Sequence, residues 1–178
     1  RQVLVEHQHF NDPEKREHIR RLLIRAAQQK TIPIVNYNDP VSDEENRKME
    51  LAIRRSHGDQ VVECVDNDET AAVIANLVHA KKLVLMTSTE GIYRDPADPK
   101  TLVEQVTAKS MEELEEKVRQ LQESCVGASR AGANGAKAKL EYALKSARQG
   151  TMVIIGHARH RLSDLVEGRV ACTRIGLE

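Results

Sequence analysis

The 178 residues are 40% apolar but hold one Phe, three Tyr and no Trp, so the core is aliphatic and lacks the aromatic platforms that stack single-stranded nucleic acid. Lys plus Arg and Asp plus Glu both number 27, and this formal balance leaves no electrostatic footprint for nucleic acid or an anionic membrane. Cys64, Cys125 and Cys172 are dispersed and form no CxxC pair, and no apolar run approaches spanning length, so a reducing, cytoplasmic setting is the default expectation.

The chain enters an apolar run, Val3-Leu4-Val5, directly after Arg1. That predicts a short strand over residues 2–5 and further residues upstream of it. Asn11-Asp12-Pro13 supplies a cap and a first-turn proline for a helix over residues 13–29, with Ile19, Leu22, Leu23 and Ala26 on one face. TIPIV, residues 31–35, reads as a buried strand ending in the polar turn Asn36-Tyr37-Asn38-Asp39-Pro40. Residues 42–58 are highly charged and read as a surface excursion. A strand over 61–65 follows, and Asp66-Asn67-Asp68 caps a helix reaching about His79.

KLVLMT, residues 82–87, reads as a second buried strand, followed by the loop STEGIYRDPADP. Ser110 and Glu113 form a capping box ahead of Met111, Leu114, Val118 and Leu121 at helical spacing. The small-residue stretch CVGASRAGANGAKAKL leads into a helix running to about Gln149. TMVII, residues 151–155, is a strand ending at Gly156; a short helix over 162–166 and a last strand near 169–173 complete the pattern. Leu177-Glu178 has the look of an expression-vector scar and carries no functional weight.

Continuous apolar strands alternating with helices predict an α/β fold with a mainly parallel sheet covered on both faces, a three-layer αβα sandwich. In such sheets ligands sit at the carboxyl ends of strands. The loops after Val35, after Met86, around residues 127–139 and after Ile155 are therefore the places to look, and the first three hold the unusual residues.

Gly127 to Lys139 combines three glycines, small residues and two lysines just before a helix. Unpaired N–H groups at a helix start attract phosphate oxygens, and Lys137 or Lys139 would neutralise transferring charge. A flexible surface loop explains the same composition. Asn36, Asn38 and Asp39 offer amides and a carboxylate suited to a small polar substrate, yet turn chemistry accounts for them equally well. Asp66-Asn67-Asp68 likewise reads as cap or ligand site. Thr87-Ser88-Thr89-Glu90-Gly91 places hydroxyls and a glycine at a strand end, as a nucleotide pocket requires and as many polar loops also do. His7-Gln8-His9 and His157-Ala158-Arg159-His160 are the tempting metal candidates, but no carboxylate or Cys pattern joins them, and surface histidines are the better reading.

Taken in order, QVLVEHQHF, TIPIVNYND, DNDETAAVIANLVHAKKLVLMTSTEGIYRDP and GANGAKAKLEYALKSARQGTMVIIG closely resemble the glutamate 5-kinases of the amino-acid kinase superfamily, over nearly the whole chain. The resemblance implies a partial amino-acid kinase domain over 1–176, with a substrate side over about 1–80 and a nucleotide side over about 81–176. It implies transfer of a phosphoryl group from ATP, with Mg²⁺, to the side-chain carboxylate of L-glutamate, the first step of proline synthesis. Asp39 and Asn67, with Asn36 nearby, would hold glutamate; Thr87 and Ser88 would border the nucleotide. Ala133, Asn134, Gly135, Ala136, Lys137, Ala138 and Lys139 would embrace ATP, with Lys139 on the phosphates as the catalytic group, and Asp68 in support.

The metal would ride on phosphates, without a protein cage. A homo-oligomer is expected. The family's N-terminal lysine loop and serine-glycine loop do not precede Arg1, its usual Thr-Asp reads Thr87-Ser88, and its Gly-Gly-Met reads Asn134-Gly135-Ala136. Alternatives are a relative with another acceptor such as UMP, or a non-catalytic binding protein on the same fold.

Overall fold

The computed structural model of the chain describes residues 1–37, 67–95, 97–124 and 135–178. The expected excursion at 42–58, the strand at 61–65, Asn38, Asp39, Asp66, Ala133 and Asn134 lie outside the described residues. The contacts divide into two compact units, Arg1–Val78 and His79–Glu178.

In the first unit, strand β1 (Gln2–Val5) is followed by helices α1 (His7–Asn11) and α2 (Pro13–Gln28), strand β2 (Ile34–Tyr37) and helix α3 (Asn67–Leu77). The β1–β2 pair is parallel, with Val3 opposite Val35. Asp12 caps α2 by accepting from the Glu14 and Lys15 amides at 2.9 and 3.0 Å, while Pro13 occupies a first-turn position where no N–H is needed. That start sets the helix phase so that Ile19 and Leu23 meet Val3, Val5 and Phe10 in the core, with Val35 and the α3 residues Val73, Ile74 and Leu77 packed around them.

One element is unanticipated and one expectation changes here. His7-Gln8-His9 is helical, because His9 Nδ1 accepts the Glu6 amide at 2.8 Å in a capping box that starts α1. The TIPIV strand is displaced and only half-buried: β2 starts at Ile34, whose amide donates to Arg1 O at 2.8 Å, and Ile34 is 65% exposed. Pro33 has no N–H for the ladder, so pairing begins beyond it, and Asn36 and Tyr37 join the strand instead of forming the expected turn.

The second unit contains strands β3 (Lys82–Thr87), β4 (Gln105–Ala108), β5 (Met152–His157) and β6 (Thr173–Leu177), with helices α4 (Met111–Ser124), α5 (Gly135–Ala147) and α6 (Leu162–Glu167). Strand order is β3-β5-β6-β4; β3–β5 and β4–β6 are parallel and β5–β6 antiparallel. Val153, Ile154 and Ile155 are all fully buried, as a central strand covered on both faces requires. Ile154 packs on Leu165 of α6 and on Cys172; alternation sends Val153 and Ile155 to the face where α5 lies.

Among the described residues β3 pairs on one side only, and Leu85 is its one buried residue, so the second buried-strand expectation is also too strong. The strand expected near 169–173 begins at Thr173. Gly168, at φ 73°, ends α6, and Arg169 returns its amide to Asp164 O at 2.9 Å and its guanidinium to the Asp164 carboxylate. Residues 169–172 are spent on that exit. Leu177 ends β6 paired with Ala108 of β4, and the Glu178 amide donates to Ala108 O at 3.0 Å, so both terminal residues are tied to β4.

Candidate active site

On the first unit, Asn36 is an exposed residue of β2 opposite Leu4, and Asn67 is the exposed first residue of α3, with Asp68 half-buried beside it. Helix α3 packs against β2, so the two asparagines stand on neighbouring elements. Acidic Asp68 and Glu69 in the first turn suit the positive end of the helix.

On the second unit, Thr87 closes β3 opposite His157, and its carbonyl accepts the Ala158 amide at 2.8 Å. Ser88 follows, exposed. Thr89 Oγ1 donates to Gly91 O at 3.0 Å, which turns the chain back toward the sheet. The buried Ile92 amide then donates to Thr173 Oγ1 at 2.8 Å, and that hydroxyl donates onward to Val103 O at 2.7 Å. Gly91 has no room for a side chain, since a Cβ would overlap Thr173.

Glu90 sits between these anchors. Its side chain is only 17% exposed, one carboxylate oxygen pairs with the Arg159 guanidinium, and the other lies 2.6 Å from His160 Nε2. His157 Nδ1 accepts the Arg159 amide at 3.0 Å, so a neutral His157 carries its proton on Nε2. The His157 and His160 rings meet edge to face at 6.2 Å. Sequence reasoning singled out both TSTEG and HARH but did not join them, since the contact spans 69 and 70 residues. The one available signal was that both segments follow parallel strands at their carboxyl ends.

Gly135 opens α5 at φ 58°, a left-handed conformation that a side chain would strain. Lys137 is exposed, its carbonyl held by Gln122 Nε2 of α4 at 3.0 Å; Ala136, Ala138 and Lys139 are half-buried. Lys139 lies four residues beyond Gly135, one turn along the same helix face. Among the described residues no group of three His, Cys, Asp or Glu side chains stands ready to hold a metal ion, and no helix is long and apolar enough to cross a membrane.

Parallel strands with polar loops at their carboxyl ends and helices packed on the sheet define an α/β fold of the kind that binds ligands at its strand ends. The carbamate kinase from Giardia lamblia bound to AMP-PNP shares the fold: it superposes with a TM-score of 0.57 at 16% identity, over 92% of this chain and 45% of that one. A protein from Aeropyrum pernix K1 superposes with a TM-score of 0.53 at 16% identity, over 89% and 45%. Residues 1–157 match the amino acid kinase family, and the chain belongs to it. Curated relatives named glutamate 5-kinase are 30% identical over 99% of this chain in Gloeobacter violaceus and Geobacillus kaustophilus, and 28% identical over 98% in Bacillus subtilis, where the name is glutamate 5-kinase 1. The chain spans 42% of the length of the first two relatives.

Proposed function

We propose that the protein carrying this chain phosphorylates the side-chain carboxylate of L-glutamate with ATP, giving glutamyl 5-phosphate and ADP for proline synthesis. The observation that carries this reading is the Gly135-opened start of α5 with Lys139 one turn in, on a family-matched chain whose similar relatives are glutamate 5-kinases. Phosphoryl transfer asks little covalent chemistry of a protein; it asks for positioning and for neutralisation of charge.

In this reading Asp39, Asn36 and Asn67 bind the amino acid, with Asp68 in support. Thr87 and Ser88 border the nucleotide, the Ala133 to Ala138 backbone approaches its phosphates, and the Lys139 ammonium stabilises charge on the group in transit. A Mg²⁺ in this reading would be held largely by the nucleotide's own phosphates. When bound, that ion offsets phosphate charge.

The test is coupled ADP release by the full-length protein, comparing L-glutamate with UMP and a panel of acids. Glutamate-dependent turnover is expected, with K139A lowering kcat by about 10²–10³-fold. Turnover on UMP alone would transfer the reading to a nucleotide acceptor. Retained ATP binding with no turnover on any acceptor would replace it with a binding role on the same fold.

A further inference from the structure

We propose that Glu90, clamped by Arg159 and His160, is a positioning residue that sets the shape of the nucleotide-bordering loop and with it the affinity for ATP. The proposal rests on the nucleotide reading of Thr87 and Ser88 and adds a device outside the residues assigned to that pocket.

The geometry is specific. Residues 87–92 leave the carboxyl end of β3, and residues 157–160 leave the carboxyl end of the neighbouring parallel strand β5. Side by side, the two loops make one backbone contact, from the Ala158 amide to Thr87 O. Beyond it the chain of the first loop is exposed at Ser88 and Thr89, and the next tie to the sheet is the Ile92 amide on Thr173. Glu90 falls midway through that span. It is the one carboxylate in the loop before Asp95, and both its oxygens are engaged by the second loop.

A carboxylate that is 17% exposed and holds two partners loses less to solvent screening than a surface pair does. The same chain offers the contrast: Glu116 pairs with Arg119 within α4 at an exposed position, and that pair orders nothing beyond its own helix turn. Glu90 instead joins segments 69 residues apart. Releasing it would let Ser88 and Thr89 sample other conformations, so the loop would have to be ordered at the expense of nucleotide binding. Loss of this kind weakens ground state and transition state together, and so appears in KM and not in kcat. Lys139 and the helix start of α5 are untouched.

The experiment uses full-length protein and ATP, with E90Q, R159A/H160A and the surface control E116Q. Expected is a rise of about fivefold or more in the KM and Kd for ATP in E90Q and in R159A/H160A, with kcat within twofold of wild type and the KM for the acceptor unchanged. Combining E90Q with R159A/H160A should add no further loss, because all three residues form one clamp. R159K, which keeps the cation, should recover part of the affinity, and E116Q should match wild type. Should E90Q not fold, the exposed Arg159 supplies R159A as a substitute with the same expectation. ATP affinity within twofold of wild type in the folded variants, or a fall in kcat with KM unchanged, would overturn the positioning role while leaving the nucleotide reading intact. Failure of the wild-type protein to bind ATP would remove both.

Discussion

Replacing Thr173 by valine removes one hydroxyl and keeps the branched shape of the side chain. Thr173 is fully buried, accepts the Ile92 amide at 2.8 Å and donates to Val103 O at 2.7 Å. Valine fills the same volume, so no cavity opens and packing terms stay small. What changes is that a buried N–H and a carbonyl lose their partner together. Each net hydrogen bond contributes about 1 kcal/mol, and stranding a buried polar group costs about 1–3 kcal/mol. Some relaxation toward water at the loop offsets part of this, which leaves an expected destabilisation of about 2–4 kcal/mol. Serine is the matched comparison: it keeps both hydrogen bonds and loses one buried methyl, for about 1 kcal/mol.

Urea unfolding of the full-length protein, followed by circular dichroism, gives the midpoint and slope for wild type, T173V and T173S. Amide hydrogen exchange adds a local readout, because the Ile92 amide should lose protection in T173V and retain it in T173S. If T173V proves no less stable than T173S and the Ile92 amide stays protected, the hydroxyl is not what fastens the loop after β3 to β6, and the reasoning fails.

Two further predictions concern packing and pH. In G91A the new Cβ would overlap Thr173 Oγ1 and stand 2.9 Å from the Thr173 backbone nitrogen, so stability should fall by about 1–3 kcal/mol, read as a lower Tm. His9 is held below its ordinary value of 6.5 chiefly by burial, with Lys15 and His7 adding to the effect against the opposing pull of Glu6. The unfolded chain therefore binds the proton more readily, and the stabilising contribution is present above pH 6.5 and is lost as pH falls through the lower folded value. Protonation also takes Nδ1 away from the Glu6 amide, so α1 should fray first; exchange at the α1 amides against pH, with H9Q as a variant that keeps an acceptor without titrating, tests this.

What the sequence revealed depended on how local the determining chemistry is. Asp12 and Pro13 announce α2, and Ser110 with Glu113 announces α4; the Glu113 amide does donate to Ser110 Oγ, at 3.2 Å. KLVLMT marked β3 to the residue, because a run of that length between polar segments has few alternatives. Helix α1 stayed hidden since Phe10 is its only buried residue and its cap is a Glu–His pair instead of the usual Ser, Thr or Asp. Strand β4 stayed hidden too: four residues with only Val106 and Ala108 buried leave too short an alternation to read. For the site, Thr87, Gly135 and Lys139 were legible as strand-end and helix-start positions. Glu90 was not, because its meaning lies in two side chains 69 and 70 residues away.

The two long-range features that sequence patterns could not show act on one loop. From the β5 side, Ala158 holds Thr87 and the Arg159–His160 pair holds Glu90; from the β6 side, Thr173 holds Ile92. Every one of these contacts lies within His79–Glu178. Among the described residues, the contacts that hold the loop at Thr87 and Ser88 therefore all come from the second unit. A carboxylate directly after Thr87 would be one way to give this loop a fixed charge; here the position is Ser88, exposed, and the next carboxylate along the chain, Glu90, is held by Arg159 and His160. The structural work of Glu90 thus leaves Ser88 as the polar group presented at the strand end, a hydroxyl in place of a charge. On the nucleotide reading proposed above, recognition at this loop would rest on hydrogen bonding and shape, with positive charge coming from Lys139 of α5.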